Sequence, residues 1–331
     1  RQEFMEFIIR ERRGIIASEL IFLFFFVCWI AYRAYDPAID HTEQPMDFAL
    51  LNASIASTTG NPEDLWLRGQ SVSYYYFGHW MMGVLTQLSG IASSVSYNLS
   101  MALVPAMAAM GIFGLVYNMV RADTTRWRYA LTAGLFSVVF MGVISNLTGS
   151  LEFIRTVGMG SHAFWEWIRI DGMDGLGHNL SKNWVPQEVW WWFRDTRVIN
   201  TFVEGVQLDY TIQEFPFFSF LLGDLHPHVM SIPIIMLFIH FVWNFYRSPL
   251  STWGRIDTRM CASLLVMSLI LGGLAFTNVW DLPTCAAIFL GMNILRNYFI
   301  KRVSTWTMMR DTIFAGLAMI LMAIVLFLPF W

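Results

Sequence analysis

The sequence predicts an all-α polytopic membrane protein, a bundle of transmembrane helices carrying two long loops on its outer face. Three observations lead there. Apolar runs of near-spanning length recur along the chain. Of the 331 residues, 56% are hydrophobic and only 14% charged, against about a quarter charged in soluble domains. Lys and Arg also divide unevenly between alternate connecting segments, which is the mark of a membrane topology.

Crossing a bilayer takes about 20 apolar residues, and with no water to satisfy the backbone those residues form helices. The runs that qualify are 15–35, 99–120, 127–147, 229–246, 261–280, 284–300 and 312–331, with a shorter candidate at 74–91. Cys28, Cys261 and Cys285 all lie inside such runs, where no loop disulfide would form. The chain reads as one polytopic membrane domain over 1–331. Its start lacks Met and its end falls in an apolar run, which predicts a piece of a longer chain.

Grouping the segment before Gly14 with those around Arg121, Arg247 and Arg296 collects 14 of the 21 Lys and Arg on one side, with net charges of +7 there and −10 on the other. The basic side is then cytoplasmic, and loops 36–73 and 148–216 are extracytoplasmic on a multi-pass cell-membrane protein. A fully crossing 74–91 would separate the two loops. Either that segment is re-entrant, or the arginines of RADTTRWR face outward.

The first loop gathers Asp36, Asp40, Glu43, Asp47, Glu63 and Asp64. Pro45 followed by MDFALLNASI predicts a short helix along the membrane surface with Asp47 in its first turn. A solvated acidic loop is the plainer reading. The second loop carries FWEWIRI, NWVPQEVWWWFRDTRVI and TIQEFPFFSF, too aromatic for a disordered connection. Trp165, Trp167, Trp184, Trp190, Trp191 and Trp192 form either an interfacial belt or a lipid- or sugar-stacking groove. Lys182, Arg194 and Arg197 stand among them as phosphate clamps, unless Asp195 pairs with one of the arginines.

Next comes GDLHPHVMSIP, with Asp224, His226 and His228 at alternate positions where an apolar run begins. Pro227 predicts the first turn of that helix. Its N-terminus favours an anion. As extended chain the three side chains would face one way and could hold a metal; as helix only Asp224 and His228 align.

EQPMDFALLNA, SVSYYYFGHW, RDTRVI, TIQEFPFFSFLLGDLHPH and NVWDLPT occur in that order along nearly the whole chain. Together they resemble the archaeal and chloroflexal "YYY" membrane proteins, named for the triplet present here as Tyr74, Tyr75 and Tyr76. The layout of that family looks like the GT-C class of polytopic glycosyltransferases, which keep a catalytic acid in the first outer loop and take a sugar from a polyprenyl-phosphate carrier. The resemblance implies a GT-C-like helical bundle with Asp47 and Asp224 catalytic. It implies Tyr74, Tyr75, Tyr76, His79, Arg194, Arg197 and Glu214 as substrate-binding residues, and His226 and His228 as ligands of a divalent metal. The first loop lacks the Asp-Glu pair of many GT-C enzymes.

The function expected is transfer of a sugar from a polyprenyl-phosphate donor to an outer-face acceptor, with membrane lipids and membrane proteins as partners and no nucleic acid. A noncatalytic assembly subunit is the alternative. A transporter ranks lower, because Glu19 and His240 are the main ionisable groups within the spans. Cysteines placed at Ser57 and Ser161 should both react with an impermeant thiol reagent added from outside; reaction of only one would rule out a shared outer face.

Overall fold

The computed structural model describes residues 2–58, 61–168, 191–196, 199–248 and 258–330. In chain order the helices are α1 (Gln2–Tyr35), α2 (Gln44–Ala56), α3 (Phe77–Ser89), α4 (Ser93–Asp123), α5 (Trp127–Val139), α6 (Leu147–Thr156), α7 (His162–Ile168) and α8 (Trp191–Arg194). Strands β1 (Ile199–Val203) and β2 (Val206–Thr211) follow. The remaining helices are α9 (Pro216–Leu222), α10 (Pro227–Arg247), α11 (Thr258–Thr277), α12 (Asp281–Leu295) and α13 (Thr305–Leu326).

Among the described residues, five helices are long and apolar enough to cross a membrane: Phe4–Tyr35, Ser93–Asp123, Pro227–Arg247, Thr258–Thr277 and Thr305–Leu326. The protein is an all-α polytopic membrane protein, with one short hairpin as its exception. The expected spans 127–147 and 284–300 are α-helical only as far as Val139 and Leu295, each passing into a five-residue π-helical turn. The described chain clusters into two compact units, Arg1–Gly134 with Asp224–Trp331, and Leu135–Gly223.

In the first unit α1 and α4 run antiparallel. Arg121 Nε of α4 lies 3.2 Å from Glu11 Oε2 near the start of α1, while Arg33 Nη2 near its end donates to Asn98 Oδ1 at 2.8 Å. Arg247 at the end of α10 pairs with Asp123 at 3.1 Å, and the guanidinium of Arg296 reaches the Ser248 carbonyl. The basic segments grouped by charge counting therefore meet at one end of this unit. Phe238 and Val242 of α10, Met267 and Leu274 of α11, Phe289 of α12 and Met319 of α13 form its apolar core.

Segment 74–91 holds no helix of spanning length. Its helix α3 has 13 residues, about 20 Å long against a hydrocarbon core of about 30 Å. It ends at Gly90 in the left-handed conformation (φ 69°), which glycine adopts without steric cost. Because Arg33 near the end of α1 meets Asn98 near the start of α4, the chain between these two helices leaves and rejoins them at the same end.

In the second unit Asn146 caps α6 by accepting from the Thr148 amide at 2.6 Å. The hairpin pairs Ile199 with Thr211 and Val203 with Val206. Its turn residues Glu204 and Gly205 both have positive φ, 53° and 78°, the twist that a two-residue hairpin requires. Loop 148–216, expected to be folded, carries α6, α7, α8 and this hairpin. Lys182, Trp184, Trp190 and Arg197 lie outside the described residues.

Gly272 of α11 allows the Phe327 ring to pack on its backbone; a Cβ there would fall within that ring. Gly272→Leu is expected to destabilise the first unit by about 1–3 kcal/mol through overpacking. The readout is thermal unfolding in detergent, with Gly291→Leu, whose Cβ would meet nothing within 4 Å, expected to melt like the wild type.

Candidate functional site

Helix α2 begins where the sequence placed it. Glu43 is its N-cap, Pro45 sits in the first turn, and Asp47 is the acid of that turn. Leu50, Leu51 and Ala53 bury the helix, which fixes where Asp47 points. Helix α3 comes close to α10 because a Cβ at Gly78 would meet Met230 Cε at 2.6 Å. The residue after Gly78 is His79.

Asp47 and His79 are both fully buried, with Oδ1 and Nε2 3.3 Å apart. The pair lies within ion-pair distance but lacks hydrogen-bond geometry, so both carboxylate oxygens and both ring nitrogens are left without a hydrogen-bond partner. The hydroxyl of Tyr97, a fully buried residue on α4, lies beside them within hydrogen-bonding reach of the Leu225 backbone. Buried polar groups are nearly always satisfied, so the Asp47–His79 pair requires an explanation.

Beside them lies the GDLHPH segment. Thr42 Oγ1 donates to both oxygens of Asp224, at 2.8 and 2.7 Å. Thr42 holds φ at 42°, a conformation rare for a β-branched residue, and its bond to Asp224 helps hold it there. His226 is the N-cap of α10, extended at ψ 144°, with Pro227 opening the helix. Its Nε2 is 2.7 Å from Glu43 Oε2 and 3.8 Å from Asp224 Oδ2.

Burial raises the Asp224 carboxyl from 3.8 to about 6, against the lowering effects of the Thr42 hydrogen bond and the His226 charge, and Asp47 adds to the rise. Burial alone would lower His226, but Asp47, Asp224 and Glu43 outweigh it and raise the imidazole. Tyr74 is raised first by burial and then by the charges of Asp47 and Glu43. These mutual influences place the first-loop acid and the GDLHPH cluster in one electrostatic neighbourhood.

Tyr74 also lines an apolar cavity of about 1140 Å³, together with Tyr75, Tyr76, Phe276, Ile320 and Phe330. Tyr76 is buried and donates to Asn61 Oδ1 at 2.6 Å, while the rings of Tyr74 and Tyr75 lie 5.2 Å apart. The family model described as uncharacterized membrane protein (DUF2298) matches residues 1–331. The chain belongs to this family. Comparison with curated proteins and with solved structures finds no match.

Of the residues singled out in this DUF2298 chain, Asp47, His79, Asp224 and His226 converge, and Tyr74, Tyr75 and Tyr76 line the adjoining cavity. His228 occupies the first turn of α10, its ring centroid 5.4 Å from that of His226. Alignment of Asp224, His226 and His228 on one extended face does not occur, because the helix starts between the histidines. The 2.7 Å separation of His226 from Glu43 is a hydrogen bond, shorter than the roughly 3.3 Å between two donors on one tetrahedral zinc. It engages only the Nε2 of His226, and one ring nitrogen of His226 and one of His228 lie within 4.8 Å of each other. In the second unit Glu214 accepts from Ser219 Oγ at 3.1 Å, and Arg194 ends α8. Trp165 is buried and Trp167 exposed.

Sequence reasoning missed Thr42 and Tyr97 and counted Glu43 as one acid among several. The run THR-GLU-GLN-PRO at 42–45 did carry a helix-start signal, but nothing local tied it to residue 224, 182 positions away.

The raised Asp224 carboxyl has a stability consequence. Its folded value of about 6 lies above the ordinary 3.8, so between these the folded state keeps a proton that the unfolded chain has released. Stability from this group is full below about pH 4 and is lost as pH rises through 6. The raised His226 continues the loss above 6.5. Thermal midpoints measured from pH 4 to 7 should fall more steeply for wild type than for Asp224→Asn, by an amount equivalent to roughly 3 kcal/mol. Parallel curves would mean that Asp224 titrates as it does in water.

Proposed function

We propose that this protein is a membrane glycosyltransferase of GT-C layout that moves a sugar from a polyprenyl-phosphate donor to an acceptor hydroxyl on the outer face. The observation that carries the reading is the unsatisfied Asp47–His79 pair at the bundle end where the apolar cavity opens beside Tyr74. Transfer from a lipid carrier needs a base, a cationic partner for phosphate and a place for an isoprenoid chain.

Asp47 takes the proton of the acceptor hydroxyl as that oxygen bonds the anomeric carbon. The bond from that carbon to the donor phosphate breaks, and its electron pair leaves with the phosphate. His79, in contact with Asp47, stabilises the carboxylate before transfer. His226, held toward its protonated form by three carboxylates, and the amide end of α10 are suited to the departing phosphate. The cavity walls of α11, α12 and α13 suit the isoprenoid chain. Arg194, Arg197 and Glu214 are assigned by this reading to the donor headgroup or acceptor. A divalent metal at His226 and His228 would serve the same phosphate.

The test is transfer of labelled sugar from a polyprenyl-phosphate donor by purified protein. Asp47→Asn is expected to lower the rate about 10²- to 10⁴-fold, with losses also in Asp224→Asn and Glu43→Gln. Asp40→Asn and Asp64→Asn serve as controls and should stay near wild type, since Asp40 is exposed and Asp64 caps the turn at Trp66 and Leu67. Equal activity of Asp47→Asn and wild type would remove the base assignment. No transfer by wild type with several donors would favour the assembly-subunit reading.

A further inference from the structure

The basic end of the first unit holds a second cavity. It has a volume of about 250 Å³ and lies where the RERRG segment of α1 meets the end of α4 and the start of α5, lined by Arg10, Glu11, Arg12, Arg13, Arg121 and Trp127 among others. We propose that it binds the phosphate group of an anionic membrane lipid. The proposal does not rest on the transferase reading, because the cavity is at the opposite end of α1 and α4 from the Arg33–Asn98 contact.

The charge balance of the lining is the first argument. Its one carboxylate, Glu11, is already engaged: Oε1 lies 3.1 Å from Arg10 Nε and 3.3 Å from Arg121 Nη2, and Oε2 lies 3.2 Å from Arg121 Nε. Among the described residues no carboxylate pairs with Arg12 or Arg13. Two guanidinium groups therefore border the cavity with their charge uncompensated, and guanidinium N–H pairs match phosphate oxygens in geometry.

The aromatic contact is the second argument. The Arg13 guanidinium sits 4.5 Å from the centroid of the Trp127 ring. Stacking holds the plane of the group in place and leaves its in-plane N–H edge for an anion. Beside it α1 approaches α4 closely, since a Cβ at Gly14 would meet the Tyr117 ring at 2.6 Å.

Depth selects a lipid over a free anion. The charged stretch ends at Gly14, and the apolar run of α1 begins with Ile15. Trp127 opens the apolar run of α5. A cation cluster at that junction, with Trp at the boundary, lies at headgroup level, where basic pockets between spans take up anionic lipid headgroups.

Native mass spectrometry of the purified, delipidated chain offered equimolar phosphatidylglycerol and phosphatidylcholine tests this. Wild type should retain phosphatidylglycerol preferentially. Arg12→Ala with Arg13→Ala should weaken that retention about 30-fold, at about fivefold for each arginine near the surface, while Arg68→Ala, exposed in the first loop, should leave it unchanged. Both arginines of the double variant are exposed, and an unshifted melting temperature verifies its fold. Equal retention of the two lipids, or retention untouched by the double variant, overturns the proposal. Inorganic phosphate in a competition arm identifies the source: displacement of phosphatidylglycerol by equimolar phosphate would keep the phosphate site but remove the lipid assignment.

Discussion

The arrangement at the acidic end of the bundle depends on one contact, the fully buried Asp47 carboxylate against the fully buried His79 imidazole. Two ionisable groups without hydrogen bonds are expensive to hold away from water. The cost is borne by packing around them, with Leu50, Leu51 and Ala53 burying α2 and the glycine at 78 admitting Met230. Such a pair is tolerated where the surrounding structure over-determines it, and strained or unsatisfied groups of this kind gather at functional sites.

The same contact explains the neighbouring chemistry. Asp47 helps raise both Asp224 and His226, and Glu43 and Thr42 supply the bonds that make the GDLHPH segment an ordered helix start. These effects raise the Asp224 carboxyl to about 6 and raise the neighbouring His226 imidazole. Tyr74, raised by burial and then by the charges of Asp47 and Glu43, also lines the apolar cavity.

Charge organises the opposite end by different means. There Glu11 is matched to Arg10 and Arg121, and Asp123 to Arg247, while Arg12 and Arg13 border the cavity beside Trp127. Because α1 and α4 link the two ends, segregation of charge along the chain becomes segregation in space. The short α3 preserves it by not crossing.

Much of this was readable in one dimension. Hydrophobic run length alone identifies the spans α1, α4, α10, α11 and α13, because a bilayer imposes both length and helicity. Pro45 and Pro227 mark two helix starts because a missing N–H costs least in a first turn, even though Pro105 and Pro233 lie inside α4 and α10. What no local pattern contains is which polar groups meet. Thr42 and Asp224 are 182 residues apart, Tyr97 lies inside an apolar-looking helix, and the failure of α3 to span is decided by where it stops being helical. Asp47 could be singled out from its motif. That it faces His79 with neither satisfied is a property of α2 packed on α3, since only tertiary packing fixes the direction in which a side chain is buried.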